Sequence, residues 1–152
     1  MIDKNRFRST FELKDKVAVV TGGTGYLGKV FCAGLADFGA KVAVVDIERK
    51  SAEEYAAILS KTYGVDCLGV GCDISDPKSV SEMVKMVEIG LGPIDILHNN
   101  AASKGSQLEK FLAPLEKYTL ESWREVMSVN LDGMFLVAQA IGQKMADRGK
   151  GS

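Results

Sequence analysis

A single histidine, three cysteines and three prolines occur in the 152 residues, and these scarcities close off several kinds of chemistry. With His98 alone, neither a His-based metal cluster nor a Ser-His-Asp triad can be assembled within these residues. Cys32, Cys67 and Cys72 are odd in number, lack a C-x-x-C spacing and fall in apolar segments, so they read as reduced thiols rather than disulfides or metal ligands. No apolar run approaches the roughly 18 residues of a membrane span. Residues 1–16 have no apolar leader core, and the expected location is the cytoplasm. Charge of one sign is also missing: 19 basic residues face 20 acidic ones, with no basic run to track a phosphate backbone, so neither nucleic acid nor a membrane is expected as a partner. What remains, 46% hydrophobic and 26% charged residues, suits a globular domain with a sizeable core.

The stretch that organises the chain is Lys16–Gly28, KVAVVTGGTGYLG. Val17, Ala18, Val19 and Val20 read as a buried strand, and the glycines that follow turn directly into a helical pattern. Gly23, Gly25 and Gly28 satisfy G-x-G-x-x-G, in which glycines permit a tight turn, close approach to a pyrophosphate and close helix–strand packing. The anion then rests on the helix N-terminus, where open N–H groups and the helix dipole favour negative charge. A second strand, Lys41–Val45, ends in Asp46, 18 residues beyond Gly28, near the spacing at which an acid meets adenosine ribose hydroxyls. A carboxylate there repels a 2′-phosphate, so NAD is expected in preference to NADP, with Arg49 and Lys50 close by. The alternative for Asp46 is a helix-capping residue. Gly23 to Lys29 also fits the start of a P-loop, but Val30 stands where magnesium binding needs Ser or Thr.

Residues 1–15 read as an arm in which Phe7, Phe11 and Leu13 pack against the body, and residues 16–152 as a dinucleotide-binding domain. The first helix is expected over Tyr26–Phe38 with an apolar stripe of Leu27, Val30, Phe31, Gly34, Leu35 and Phe38, stopped by Gly39. Ser51 and Glu54 form a capping box for a helix over Ala52–Tyr63, ended by Gly64. A third strand covers Cys67–Gly71; Asp76 and Pro77 then start a helix that buries Val80, Met83, Val84 and Val87. The fourth strand is expected at Ile94–Leu97, followed by a polar loop over Ser103–Lys117, long enough for a substrate-covering or binding role, and one long helix from Thr119 to Asp147. The alternation predicts an α/β doubly wound parallel sheet, Rossmann-type, in the incomplete order 3-2-1-4. That order brings Asp46, Asp73 and Asn100, at three strand ends, to one crevice.

These residues resemble the short-chain dehydrogenase/reductase family. The resemblance runs from Leu13 onward on Thr21–Gly28, Asp46, Asp73-Ile74, Asn99-Asn100-Ala101-Ala102, and Trp123 through Val129-Asn130-Leu131-Asp132-Gly133. It implies that the glycine turn, with Gly22, Gly25 and Gly28, and the Leu27 backbone hold the pyrophosphate, that Thr24 reaches the adenosine ribose, that Asp73 and Ile74 flank the adenine, that Asn100 and Ala101 line the cofactor cleft, and that Tyr26, a departure from the family pattern, alters the nicotinamide end of the pocket. It also implies that Asn130 is the helical asparagine whose carbonyl holds a water in a proton relay. The cluster of Asn130, Asp132 and Gly133 in mid-helix is independently odd, since Gly there costs about 1 kcal/mol relative to Ala. The alternative is that Asn130 is a satisfied polar residue at a helix bend, and His98 reads as structural.

Two departures stand out. Tyr26 occupies the sixth position of T-G-x-x-x-G-x-G, and the spacing Gly22, Gly25, Gly28 instead fits the T-G-x-x-G-x-x-G of the extended branch, whereas Asn99–Ala102 and Asn130 favour the single-domain branch. The family's acid/base is a Tyr with Lys four residues on, joined by a Ser. Here Tyr26, Tyr55, Tyr63 and Tyr118 are followed at that distance by Val30, Leu59, Cys67 and Ser122. The resemblance therefore implies the cofactor half of an NAD-dependent oxidoreductase moving a hydride to or from a small polar, sugar-like substrate, inactive as it stands and a fragment of a larger domain. The expected assembly is a homo-oligomer through the 119–147 helix. The alternative is a non-catalytic nucleotide-binding or interaction module completed by a partner chain.

Overall fold

Four β-branched or small apolar residues followed by Thr21 form β1 (Val17–Thr21), which is buried along its whole length. In the computed structural model, which describes residues 9–152, β1 lies between β2 (Lys41–Asp46) and β4 (Ile96–His98), with β3 (Cys67–Gly71) outside β2. The order is β3-β2-β1-β4, with every pairing parallel, and Val17 faces Lys41 while Ala18 faces Ile96. The expected doubly wound arrangement is therefore present.

Alternate residues of the strands serve two cores, as the period of two requires. Val17, Val19, Ala43, Val45 and Val70 pack beneath α3 (Pro77–Gly90) and α6 (Met134–Asp147) through Val80, Met83, Val84, Val87, Val137 and Ile141. On the other face Ala18, Val20, Val42 and Val44 meet α1 (Tyr26–Asp37) and α2 (Arg49–Tyr63) through Cys32, Ala36, Ala52, Ala56 and Leu59. Burial on both faces explains why the central strands read as continuous apolar runs.

The expected stripe of α1 holds in part: Phe31 and Leu35 pack against the core, while its other members do not define the buried face. The buried line is Gly28, Cys32 and Ala36, while Leu27, Val30 and Gly34 are exposed. Small residues let the helix lie close to the sheet, and that closeness decides its rotation. The Ser51 capping box does not form, because α2 begins at Arg49 after Glu48, with no side-chain cap. Glycines of β3 allow this early start: a Cβ on Gly71 would lie 2.7 Å from the Arg49 Cβ, and one on Gly69 would lie 2.3 Å from the Glu53 Cα. Gly64 (φ 70°) ends α2 as expected, and Asp76 caps α3 by accepting from the N–H groups of Lys78 and Ser79.

β4 starts two residues later than expected and includes His98, because Gly92 (φ 109°) and Pro93 are still turning the chain before it. Asp95 secures this start through its N–H to Val17 O and its carboxylate to Val17 N, 2.9 and 3.2 Å. On the other edge of β4, Ser152 accepts from Leu97 N–H and donates to Asp95 O, both at 2.9 Å. The region 103–117 is not plain loop: it contains α4 (Leu108–Phe111) and a 3₁₀ turn at Leu115–Lys117. Nor is the last helix continuous. Thr119 caps α5 (Leu120–Met127), a π-helical segment follows at Ser128–Gly133, and α6 completes the run. In the arm, Leu13 packs on the core beneath α1 and α2 and its N–H donates to Phe38 O, but Phe11 is 65% exposed; Phe7 lies outside the described residues. Among the described residues no helix is long and apolar enough to cross a membrane.

Candidate cofactor site

The glycine turn is held together by contacts that no side chain could share. Gly22 has φ +63°, and a Cβ on it would lie 2.9 Å from the Ala101 Cα. A Cβ on Gly23 would meet Val44 at 2.8 Å, and one on Gly28 would lie 2.0 Å from Gly22 O. Gly25 differs: its Cβ would meet only Gly22 O, at 3.2 Å. Internal packing therefore accounts for three of the glycines, and the space over Gly25 belongs to the cleft. Gly25 is also the N-cap of α1, which has no side-chain cap and no acidic residue in its first turn. Its open N–H groups suit an anion.

The end of β1 is tied to the end of β4 by one hydroxyl. Thr21 Oγ1 donates to Asn99 Oδ1 at 3.2 Å and accepts from the N–H groups of Asn100 and Ala101 at 2.9 and 3.1 Å. This uses the full capacity of a hydroxyl. Asn100 Nδ2 donates to Thr21 O and Gly22 O, while Asn99 Nδ2 donates to Met134 O in the first turn of α6. The turn, β4 and the last helix are thus one bonded unit.

Asp46 is not a helix cap. Its Oδ2 accepts from Thr24 N and Thr24 Oγ1 at 3.0 and 2.6 Å, which locks the glycine turn to β2. The other carboxylate oxygen accepts no bond among the described residues, and Asp46 lines the cleft. The Thr24 hydroxyl is committed to Asp46, so its proton is not free for a ribose. Asp73 Oδ1 is held by Ser75 N and Ser75 Oγ at 2.9 and 2.7 Å. Arg49 and Lys50 turn to Glu53 and Glu54, at 2.7 and 3.9 Å, and neither lines the cleft.

The cleft encloses about 740 Å³ and is lined by Gly22, Thr24, Gly25, Tyr26, Leu27, Gly28, Asp46, Asp73, Ile74, Asn100 and Ala101, every residue expected to contact the cofactor. Asn130 is not in its wall. Its Oδ1 accepts from Ser103 N at 2.7 Å and its Nδ2 donates to Ser103 O at 2.9 Å, so its side chain fixes the loop after β4. The π segment that carries Asn130 passes close to the cleft wall at Ile74, where a Cβ on Gly133 would lie 2.8 Å from Ile74 Cγ1. Ser103 and Lys104, from the loop expected to bind or cover substrate, also line the cleft, and so do Val129 and Ile47, which were not anticipated. Thr21 had a legible signal, a polar residue closing an apolar strand; for Lys104 the signal was only the length of the loop that carries it. His98 packs edge-on against Phe31 with ring centroids 4.1 Å apart, a structural contact. Burial pushes the Cys72 thiol, at the cleft wall, above its ordinary value. Among the described residues no group of three His, Cys, Asp or Glu side chains could hold a metal.

A doubly wound parallel sheet with a glycine turn at its switch point defines the Rossmann class. Within that class, residues 16–152 match the short chain dehydrogenase family, and the chain belongs to it. It is 37% identical over 142 residues to a D-threitol dehydrogenase of Mycolicibacterium smegmatis, an alignment covering 93% of this chain and 52% of that protein. A gluconate 5-dehydrogenase of Gluconobacter oxydans is 34% identical, with 93% and 52% covered. Among solved structures, an NAD+-bound xylitol dehydrogenase superposes with a TM-score of 0.82 at 30% identity, covering 91% of this chain and 51% of that one. The chain therefore spans about half the length of these relatives and lies within an oxidoreductase family that includes sugar and polyol dehydrogenases.

Proposed function

We propose that residues 16–152 form the cofactor half of an NAD-dependent oxidoreductase that acts on a hydroxyl or carbonyl carbon of a small polar substrate, a polyol or sugar derivative. The observation that carries NAD over NADP is Asp46: a carboxylate lines the cleft at the end of β2 with one oxygen uncommitted, and the nearby cations are paired elsewhere. Gly22, Gly25, Tyr26, Leu27 and Gly28 would hold the pyrophosphate, Asp46 the ribose hydroxyls, Asp73 and Ile74 the adenine, and Asn100 and Ala101 the inner wall. The bound nicotinamide supplies or accepts the hydride. Both ends of the Asn130 amide are taken by Ser103, so any share in a proton relay falls to its main-chain carbonyl.

None of the four tyrosines has a lysine four residues on, so these 152 residues are assigned cofactor binding without turnover. The three free cysteines support a reducing, cytoplasmic setting. Exposed Trp123, Leu131 and Phe135 along the α5–α6 run support self-association through residues 119–147. The same face serves the second reading, a non-catalytic module completed by another chain.

Calorimetric titration with NAD+ and NADP+ tests the assignment. Asp46→Asn should weaken NAD+ by roughly thirtyfold, the equivalent of about 2 kcal/mol for hydrogen bonds to a charged group. Tighter binding of NADP+ than of NAD+ by the wild-type protein would overturn the NAD reading, and alcohol oxidation by the 152 residues alone would overturn the absence of turnover.

A further inference from the structure

Lys104 is the one Lys or Arg among the cleft-lining residues, and it enters no ion pair or hydrogen bond among the described residues. An exposed lysine is ordinarily a solvated surface charge. This one sits on backbone that is pinned on both sides. Ser103 is clamped through its N–H and C=O by Asn130, Gly105 N–H donates to Ser103 Oγ at 3.0 Å, and Ser106 N–H donates to Glu125 Oε1 at 2.7 Å. Gly105 takes φ +76°, a backbone conformation that favours glycine, and packs against the Glu125 carboxylate, with Oε2 3.0 Å from where a Cβ would lie. Three side chains, Asn130, Ser103 and Glu125, are spent on holding the backbone around Lys104, while its ammonium is left unpaired.

The acidic groups of the cleft are bonded already: Asp46, at the end of β2, to Thr24, and Asp73, beyond β3, to Ser75. Lys104 follows β4, the edge strand opposite β3 in the order β3-β2-β1-β4. The helix N-terminus beside Gly25 already offers unpaired N–H groups to a pyrophosphate, so Lys104 is not needed there.

We propose that Lys104 is a specificity-determining residue that pairs with an anionic group, carboxylate or phosphate, of the substrate held at the β4 end of the cleft. This rests on the reading of the rest of the cleft as the cofactor site. A lysine acts as a point charge and fits either anion. The consequence is selection for sugar acids or sugar phosphates over neutral polyols of the same skeleton.

The test uses the native-length protein and first measures NAD+ binding by calorimetry for wild type and Lys104→Gln. Acetylation of Lys104 is then followed by peptide mass spectrometry in the NAD+ complex with D-gluconate, inorganic phosphate or neutral D-sorbitol, with exposed Lys110 as the internal control. The expected result is NAD+ affinity equal in the two proteins, and acetylation of Lys104 slowed about tenfold when gluconate or phosphate is present at about nine times its Kd, with no effect of sorbitol or at Lys110. Unchanged Lys104 reactivity with both anions overturns the proposal. It is equally overturned if NAD+ alone protects Lys104 and Lys104→Gln weakens NAD+ about tenfold, since the anion is then the cofactor's own pyrophosphate. Absence of NAD+ binding in the wild type would instead sink the underlying cofactor reading, and anion protection of Lys104 would still be read without it.

Discussion

The same substitution, Gly to Ala, should have three different outcomes within ten residues of α1 and its cap. A Cβ on Gly28 would meet Gly22 O at 2.0 Å and Gly22 C and Gly23 Cα at 2.9 Å, all backbone atoms that cannot rotate away. Comfortable non-bonded separations are about 3.5–4.0 Å, so the turn would have to move by more than about 1 Å. Overpacking of that kind costs about 3 kcal/mol, and the better helix propensity of Ala returns about 1. Gly28→Ala should therefore destabilise by about 2 kcal/mol, close to 6 °C in Tm for a chain of this size. Gly34 is exposed with nothing within 4 Å of its would-be Cβ. There only the propensity acts, and Gly34→Ala should stabilise by about 1 kcal/mol, near 3 °C. Gly25→Ala meets one atom at 3.2 Å at an ordinary φ of −67°, so stability should hold within about 0.5 kcal/mol while NAD+ binding falls. Urea unfolding followed by the fluorescence of Trp123, paired with calorimetric titration of NAD+, measures all three. Shifts of the same sign for Gly28→Ala and Gly34→Ala would refute the packing argument. A Gly25→Ala protein that binds NAD+ normally would refute the claim that the space over Gly25 is reserved for the cofactor.

Asn130→Ala should lose about 2 kcal/mol, the worth of two hydrogen bonds to the Ser103 backbone, and a loss below about 0.5 kcal/mol would show that the clamp is not formed. Asn130→Asp keeps the acceptor for Ser103 N–H but sets an oxygen against Ser103 O, so at neutral pH it should be no more stable than Asn130→Ala. Asp76→Ala removes the acceptor for two N–H groups of α3 and should cost about 1 kcal/mol in urea unfolding, with an unchanged midpoint counting against the cap. Burial pushes the Cys32 thiol from 9.0 to about 12, because the interior disfavours its thiolate. A raised folded pKa gives stability that is complete below pH 9.0 and lost as pH climbs toward about 12. Cys32→Ala should therefore show a shallower alkaline decline across that window, and a slope equal to the wild type's would contradict the burial argument.

The sheet was legible because its central strands are buried on both faces and read as unbroken apolar runs, with glycine or Asp marking where each ends. The cleft was legible for the same reason: in a parallel sheet the strand ends Asp46, Asp73 and Asn100 must gather on one edge, whatever the helices do. The helix faces were harder. Apolar size drew attention to Leu27 and Val30, but α1 is oriented by its smallest residue, since only Gly28 can rest against Gly22. In α2 the capping pattern at Ser51 lost to a distant fact, the missing side chains of Gly69 and Gly71 on which the helix lies. Local signals failed where a contact remote in sequence decided the geometry.

The interrupted last helix joins these two lessons. Asn130, Asp132 and Gly133 announced that something other than helix stability governed the segment, yet nothing local could say what form the irregularity takes. The structure supplies two remote constraints: Gly133 must clear Ile74 at one side of the cleft, and Asn130 must reach both polar groups of Ser103 at the other. A π segment adds a residue to the turn, which lets one short stretch meet both demands while α5 and α6 keep Val126, Val137 and Ile141 buried. If that is the reason for the π segment, the Asn130→Ala protein should retain it, held by Gly133 alone, whereas Gly133→Ala should lose the close approach to Ile74 and open that side of the cleft. A crystal structure of Gly133→Ala with Ile74 and the π segment unmoved would show that the irregularity has another cause.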